Sequence, residues 1–228
     1  MRRSSKERGF WDIQVAHKEA LHRTLPGRAG RGLFLAESLK APSITASFFP
    51  SSRFLTSALL RFVDFTKTRT IVELGIGTGA ITLEILRRMS PGARLYGLDI
   101  NPVFVAHVRS KVADSRFIPI CGGAEQLRAH LTREGVRSAD AVISSLGLTS
   151  MPHPTRSIIV EQIASHLRRD GILTQYQYIH ASGEPNWSCA LGLKRFAEEY
   201  FLREYFREVW SENVVLNLPP ARVYTCRL

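Results

Sequence analysis

Residues 71–79 read Ile-Val-Glu-Leu-Gly-Ile-Gly-Thr-Gly, and Asp99 follows twenty residues after the last glycine. Ile71, Val72 and Leu74 suit a short buried strand, the glycines a tight turn, and Ala80–Leu86 the start of a helix. A second apolar run, Leu95–Leu98, ends at Asp99. Glycines let backbone approach a ligand closely, and an acid closing the next strand is placed to take ribose hydroxyls. Gly75, Gly77 and Gly79 stand at alternate positions and Glu73 precedes them, which departs from the dinucleotide fingerprint.

Elements that could position these groups run along the rest of the chain. Strands are expected at Phe117–Ile120, Ala139–Ser145 and Gly171–His180, with helices from Glu125 to Leu131, from Thr155 to Leu167 and near 189–204. Val209–Leu216 and Ala221–Leu228 read as a closing antiparallel hairpin across Asn217-Leu218-Pro219-Pro220. Alternating strands and helices imply an α/β fold with a seven-stranded, mostly parallel sheet. Before it, residues 33–69 read as a helical lid and first core helix, with a short helix at 33–40 ended by Pro42. A second helix spans about 53–65, with Ser51 or Ser52 as its N-cap. Residues 1–32 form a basic segment in which Phe10, Trp11, Ile13, Val15, Leu21 and Leu25 are spaced among cations. That pattern fits an interfacial helix or one packed on the core.

The bulk properties narrow the partners. A chain of 228 residues that is 44% hydrophobic can bury one substantial core. Its net charge of +11 points to nucleic acid or an anionic membrane surface, or serves solubility alone. No run of about 20 apolar residues is present, so any membrane contact is peripheral, and the basic start does not read as a secretory signal. Cys121, Cys189 and Cys226 show neither disulfide nor metal-ligand spacing and suit small core residues in a reducing cytoplasm.

The Glu-x-Gly-x-Gly-x-Gly loop with its terminal Asp99 resembles the S-adenosylmethionine loop of Rossmann-like class I methyltransferases. The resemblance implies that Glu73 lies near the methionine amino group and that Gly75, Ile76, Gly77, Thr78 and Gly79 border methionine and ribose. Asp99 would take the ribose hydroxyls, with Ile100 beside the adenine. Gly123, Ala124 and Glu125, after strand three, would also border adenine. Ser144, Ser145 and Leu146 would end strand four beside the reactive methyl. A neutral nucleophile must then sit in line with the methyl carbon. Ser144, Ser145, Tyr176, Tyr178, His180 and His153 are the candidates for orienting it, each with packing as the alternative role.

Further motifs resemble bacterial phospholipid N-methyltransferases and the related ornithine-lipid enzymes over roughly residues 33–228. They are Phe48-Phe49-Pro50-Ser51-Ser52-Arg53, Ser144-Ser145-Leu146-Gly147-Leu148, Gln175-Tyr176-Gln177-Tyr178 and, most specific, Asn217-Leu218-Pro219-Pro220-Ala221-Arg222-Val223. This resemblance implies N-methylation of an aminolipid headgroup by a cytoplasmic protein, peripheral on the inner face of the cell membrane. Residues 1–40 would dock on anionic lipid. Ser144, Ser145 and Tyr178 would act catalytically. Pro50 to Arg53 would form a lid. Ser52, Arg53, Leu146, Tyr176, Tyr178, His180, Asn217 and Arg222 would line the acceptor site, although a rigid turn is the other reading of Asn217 and the prolines.

Two positions depart from that family. Its Gly-Asp-Ala, whose acid bonds the adenine, is Gly122-Gly123-Ala124 here, which leaves Glu125 or backbone to substitute. The proline after Ser-Leu is Gly147, which loosens the acceptor loop. Two other functions stay open. An RNA adenine N6-methyltransferase also suits the charge, but Ser145-Leu146-Gly147-Leu148 offers neither the amide nor the aromatic that such enzymes stack on a flipped base, so nucleic acid is disfavoured. A non-catalytic lipid- or cofactor-binding homologue rests on the missing acid alone.

Overall fold

The computed structural model describes residues 52–179 and 195–228. Expectations for residues 1–51, the helix at 33–40, Pro50, Ser51, His180 and residues 189–194 fall outside them.

The described chain begins with α1 (Arg53–Leu60), β1 (Thr70–Leu74), α2 (Ala80–Arg88), β2 (Arg94–Asp99), α3 (Pro102–Lys111), β3 (Phe117–Cys121) and α4 (Leu127–Arg133). It continues through β4 (Ala139–Ser144), α5 (His153–His166), β5 (Leu167–Tyr178), α6 (Arg195–Arg203), β6 (Glu208–Val214) and β7 (Ala221–Arg227). These strands form one sheet in the order β3-β2-β1-β4-β5-β7-β6. Pairing is parallel from β3 to β5 and antiparallel at β5–β7 and β7–β6. The expected mostly parallel sheet with a closing hairpin is what the chain forms.

Both faces of the sheet are covered, which is why its central strands read as apolar runs rather than alternating ones. Ile71, Ala141 and Ile143 pack with Leu55 and Leu59 of α1, Ile81 and Ile85 of α2, and Val105 and Val108 of α3. Val72, Leu74 and Val142 pack with Leu127 of α4, Ile159 and Ile163 of α5, and Phe201 and Leu202 of α6. Arg156 fixes α6 to α5 through Glu198 (3.3 Å) and through the Phe201 ring, 4.1 Å from the guanidinium carbon.

Several boundaries differ from the sequence expectation. α1 stops at Leu60 rather than near 65, because Asp64 folds a turn in which its Oδ1 accepts from the Thr66 amide and hydroxyl. β5 begins at Leu167, directly after α5. Leu167 pairs with Ala139 and Ile172 with Ala141, so a bulge absorbs Arg168–Gly171. The sequence reading had no helix at α3. Its start is nevertheless marked by Asn101, whose Oδ1 accepts from the Val103 amide at 2.9 Å, and by Pro102 at the first helical position.

Candidate active site

The carboxyl ends of the parallel strands collect the predicted groups, as expected in a sheet of this kind. After β1 the chain turns through Gly75, Gly77 and Gly79, with φ of 81°, 49° and 86°, a region that favours glycine. Gly75 and Ile76 donate to the Leu98 carbonyl at 2.8 and 3.3 Å, which fastens the loop to β2. Asp99 adds a second fastening. Its Oδ2 accepts from the Gly77 amide and its Oδ1 from the Asn101 amide, both at 2.9 Å. Burial raises the Asp99 carboxyl from its ordinary value, against the pull of those two amides.

Beneath the loop, Glu73 is 1% exposed. Its Oε2 accepts from the Thr82 hydroxyl of α2 at 2.8 Å, and its Oε1 has no partner. Burial pushes this carboxyl up to about 8, with the nearby Asp99 charge as a smaller cause. A buried acid with an unpartnered oxygen is an incomplete arrangement. It fits a ligand that brings a cation, as the methionine amino group of S-adenosylmethionine does.

At the end of β3, where the resembling family carries an aspartate, this chain has Gly123. A Cβ built at Gly123 would overlap the Glu125 carboxylate. Glu125 therefore folds back into the space a side chain at 123 would fill. A Cβ at Gly122 would likewise overlap the His130 imidazole, whose buried Nε2 has no partner. Burial lowers the His130 pKa and favours the neutral ring. The third-strand side of the site thus carries a carboxylate and an imidazole.

At the end of β4 the two serines part. Ser145 donates its hydroxyl to the Gly75 and Leu74 carbonyls, and a Cβ on Gly75 would lie 2.7 Å from that oxygen. Ser145, expected to act catalytically, holds the glycine loop through these bonds. Ser144 is fully buried, and its Oγ accepts from the Leu146 amide at 3.4 Å. Beside it in register stands Gln175. Gln175 Nε2 donates to the carbonyls of Leu146 at 2.7 Å and Tyr176 at 2.9 Å, whereas its buried Oε1 has no partner.

The remaining predicted acceptor residues do not share one face of the sheet. Tyr176 and Tyr178 are buried with Ala221 and Val223, their rings edge to face with centroids 5.4 Å apart. Burial raises the Tyr178 pKa. Arg222 lies between Ala221 and Val223, so the strand's alternation sends it to the opposite face, and it donates to Asn213 Oδ1 at 2.7 Å. Asn217 is buried. Its Oδ1 accepts from the Ser52 amide at 3.3 Å and its Nδ2 donates to the Pro219 carbonyl at 2.6 Å. Ser52 itself caps α1 by accepting from Leu55 at 3.2 Å. Both groups act as ties within the fold, while Arg53 is exposed and lies over Phe54, 4.9 Å from the ring centroid. Ile100 is exposed beyond Asp99. His153 stands at the start of α5, edge-on to Phe201. Thr82 and His130 belong to no motif in the sequence, and Gln175 stands in one only as a neighbour of Tyr176. Their signal is contact with the loop ends, which the sequence alone does not display.

The family described as "Methyltransferase domain" matches residues 71–171. An ornithine lipid N-methyltransferase of Singulisphaera acidiphila is 32% identical over 196 residues, which span 86% of this chain and 94% of that protein. A ribosomal RNA small subunit methyltransferase H of Bordetella petrii is 36% identical over 80 residues, only 35% of this chain and 22% of that protein. Among solved structures, an O-methyltransferase from Bacillus cereus in complex with SAH superposes with a TM-score of 0.63 at 14% identity, covering 94% of this chain and 97% of that one. That likeness shows the fold. S-adenosylmethionine is the cofactor. A relative so similar along almost its whole length shares more than a strand order, and the chain belongs to the family of S-adenosylmethionine-dependent methyltransferases that includes the Singulisphaera acidiphila enzyme.

Proposed function

We propose that this enzyme N-methylates the amine of an aminolipid headgroup, ornithine lipid or phosphatidylethanolamine, at a membrane surface. The observation that carries the reading is the near full-length similarity to an ornithine lipid N-methyltransferase. The cofactor supplies an electrophilic methyl group on a sulfonium. The protein must hold that cofactor, exclude water and present a neutral amine in line with the methyl carbon. Glu73 pairs with the methionine ammonium, Ile76 and Thr78 of the glycine loop border methionine and ribose, Asp99 receives the ribose hydroxyls, and Glu125 takes the adenine-side role of the missing aspartate, with Gly123, Ala124 and Ile100 beside the adenine. Ser144 and the free oxygen of Gln175, neighbours in register, orient the amine by accepting its hydrogens, and Tyr178 does so from the other face of the sheet end. Leu146 and His180 border the headgroup, with Tyr176 reaching it from one face of the sheet end and Arg222 from the other, and Ser52 with Arg53 leads the lid into α1.

Residues 1–32 serve as the basic membrane segment, 33–69 as lid and first core helix, and 70–228 as the methyltransferase domain. The net charge of +11 supports contact of residues 1–40 with the anionic inner face of the cell membrane. Among the described residues no helix is long and apolar enough to cross a membrane, so contact is peripheral in this reading. The test is incubation with methyl-labelled S-adenosylmethionine and vesicles containing both aminolipids, followed by phase separation. Label in an aminolipid-derived band is the expected result. Its absence, with cofactor binding measured in the same preparation, would overturn the assignment.

A further inference from the structure

Among the described residues, the three most exposed large apolar side chains sit together on one turn. Leu218 is 84% exposed, and Val215 and Leu216 are each 69% exposed. Contiguous apolar groups in water mark a surface that meets something else. This turn is not loose. Between the exposed side chains, buried Asn217 bonds the Ser52 amide and the Pro219 carbonyl with its side chain and the Val214 carbonyl with its amide. The turn therefore holds its apolar groups outward from a pinned centre.

Register locates this tip. Val214 pairs with Ala221 to close the hairpin, and Ala221 pairs with Tyr178, the last residue of β5. The tip thus projects beyond the carboxyl end of β5, on the edge where the glycine loop and Ser145 lie. Its neighbour in that tie, Ser52, leads directly into exposed Arg53 and Phe54, 40% exposed. Neither 215–220 nor 52–56 contains an acidic residue. Glu212, the nearest acid along β6, is paired with Arg61 at 2.6 Å. An apolar tip with the exposed cation Arg53 beside it and no acid in either segment suits the headgroup boundary of an anionic bilayer.

We infer that the β6–β7 turn inserts into an anionic membrane surface and holds the carboxyl edge of the sheet against it, so that a headgroup enters the site without leaving the bilayer. The inference rests on the aminolipid reading for its purpose and concerns a second contact, distinct from residues 1–40. Its test uses the full chain and vesicles of equal phosphatidylglycerol and phosphatidylcholine, which offer no methylatable amine. With bromine-labelled acyl chains, Leu216→Trp gains an emission component that is blue-shifted and quenched, measured against the parent protein and its own tryptophans. The triple variant V215S/L216S/L218S loses about tenfold or more in vesicle partitioning, while methylating a monomeric short-chain aminolipid at the parent rate. An unquenched signal from the introduced tryptophan together with unchanged partitioning of the triple variant would overturn the inference, as would burial of the turn in a dimer whose dissociation restores its exposure. Quenching requires no turnover, so failure of the aminolipid assignment and failure of the insertion are read separately.

Discussion

Glu73→Gln separates the cost of the buried acid from its use. The Glu73 carboxyl has an ordinary value of 4.5 and is pushed up to about 8, chiefly by burial. A carboxyl raised in the folded state binds its proton more tightly there than in the unfolded chain. The folded state is therefore unpenalised below about pH 4.5, loses stability as the pH rises toward 8, and loses no more above that. A tenfold difference in proton affinity is worth about 1.4 kcal/mol, so between pH 5 and pH 7.5 the loss is about 3 kcal/mol. Glutamine keeps the shape and does not titrate. In urea unfolding of the ligand-free protein, the variant should gain about 3 kcal/mol on the wild type between those two pH values, other titrations cancelling in the difference. Saturating S-adenosylhomocysteine should reduce this gap, because its ammonium favours the ionised acid. The same substitution should weaken cofactor binding at pH 8 by about tenfold or more. Parallel stability profiles for the two proteins would refute the reasoning, since the carboxyl would then be no more costly to ionise inside the fold than outside it.

Gly75→Ala puts a Cβ at 2.7 Å from Ser145 Oγ and strains a φ of +81°, so it should cost about 1–3 kcal/mol in stability and most of the cofactor affinity, measured by unfolding and calorimetry. Glu125→Ala should weaken cofactor binding about tenfold, and Gly123→Asp added to it should restore affinity if the two carboxylates serve one place. Gln175→Leu should lower kcat about tenfold and leave cofactor affinity unchanged; an equal loss in cofactor affinity would place the residue on the wrong ligand.

The parts of the site that follow one another along the chain were legible from residue order. Strand, glycine loop, helix, strand and Asp99 all lie within thirty residues, and each signal is local. The closing hairpin was legible for the same reason. α3 was not, because its buried face rests on Phe104, Val105 and Val108, a short periodicity carried by a single turn after Asn101-Pro102. The start of β5 was hidden by its bulge, since Arg168, Arg169 and Asp170 look like a loop until Leu167 pairs with Ala139. Roles were harder to read than positions. Ser52 and Asn217 each had a local reading, as N-cap and as turn residue, that their bonds to Leu55 and Pro219 match, but the tie between them spans 165 residues and that of Ser145 to Gly75 spans 70, out of reach of the sequence. A polar residue next to a site serves either the ligand or the scaffold, and only its hydrogen-bond partner decides which.

The distribution of unpaired polar atoms makes the same distinction from the other side. Buried polar groups are ordinarily satisfied, so each exception calls for a physical reason. Among the described residues the exceptions are Glu73 Oε1, Thr174 Oγ1, Gln175 Oε1 and His130 Nε2, together with Arg156 Nε on α5 and Glu212 Oε1 on β6. The first three lie on β1 and β5, toward the carboxyl ends of those strands, and the fourth lies against Gly122, just past the end of β3. Meanwhile the hydroxyl of Ser145, the amide nitrogen of Gln175 and both ends of the Asn217 side chain are spent on loop and turn backbone. The fold therefore fixes its loops with one set of side chains and leaves four unmet polar atoms on another near one edge of the sheet. An edge built that way is held in shape by the fold's own bonds, and a ligand that met its unpaired atoms would relieve part of the cost of burying them.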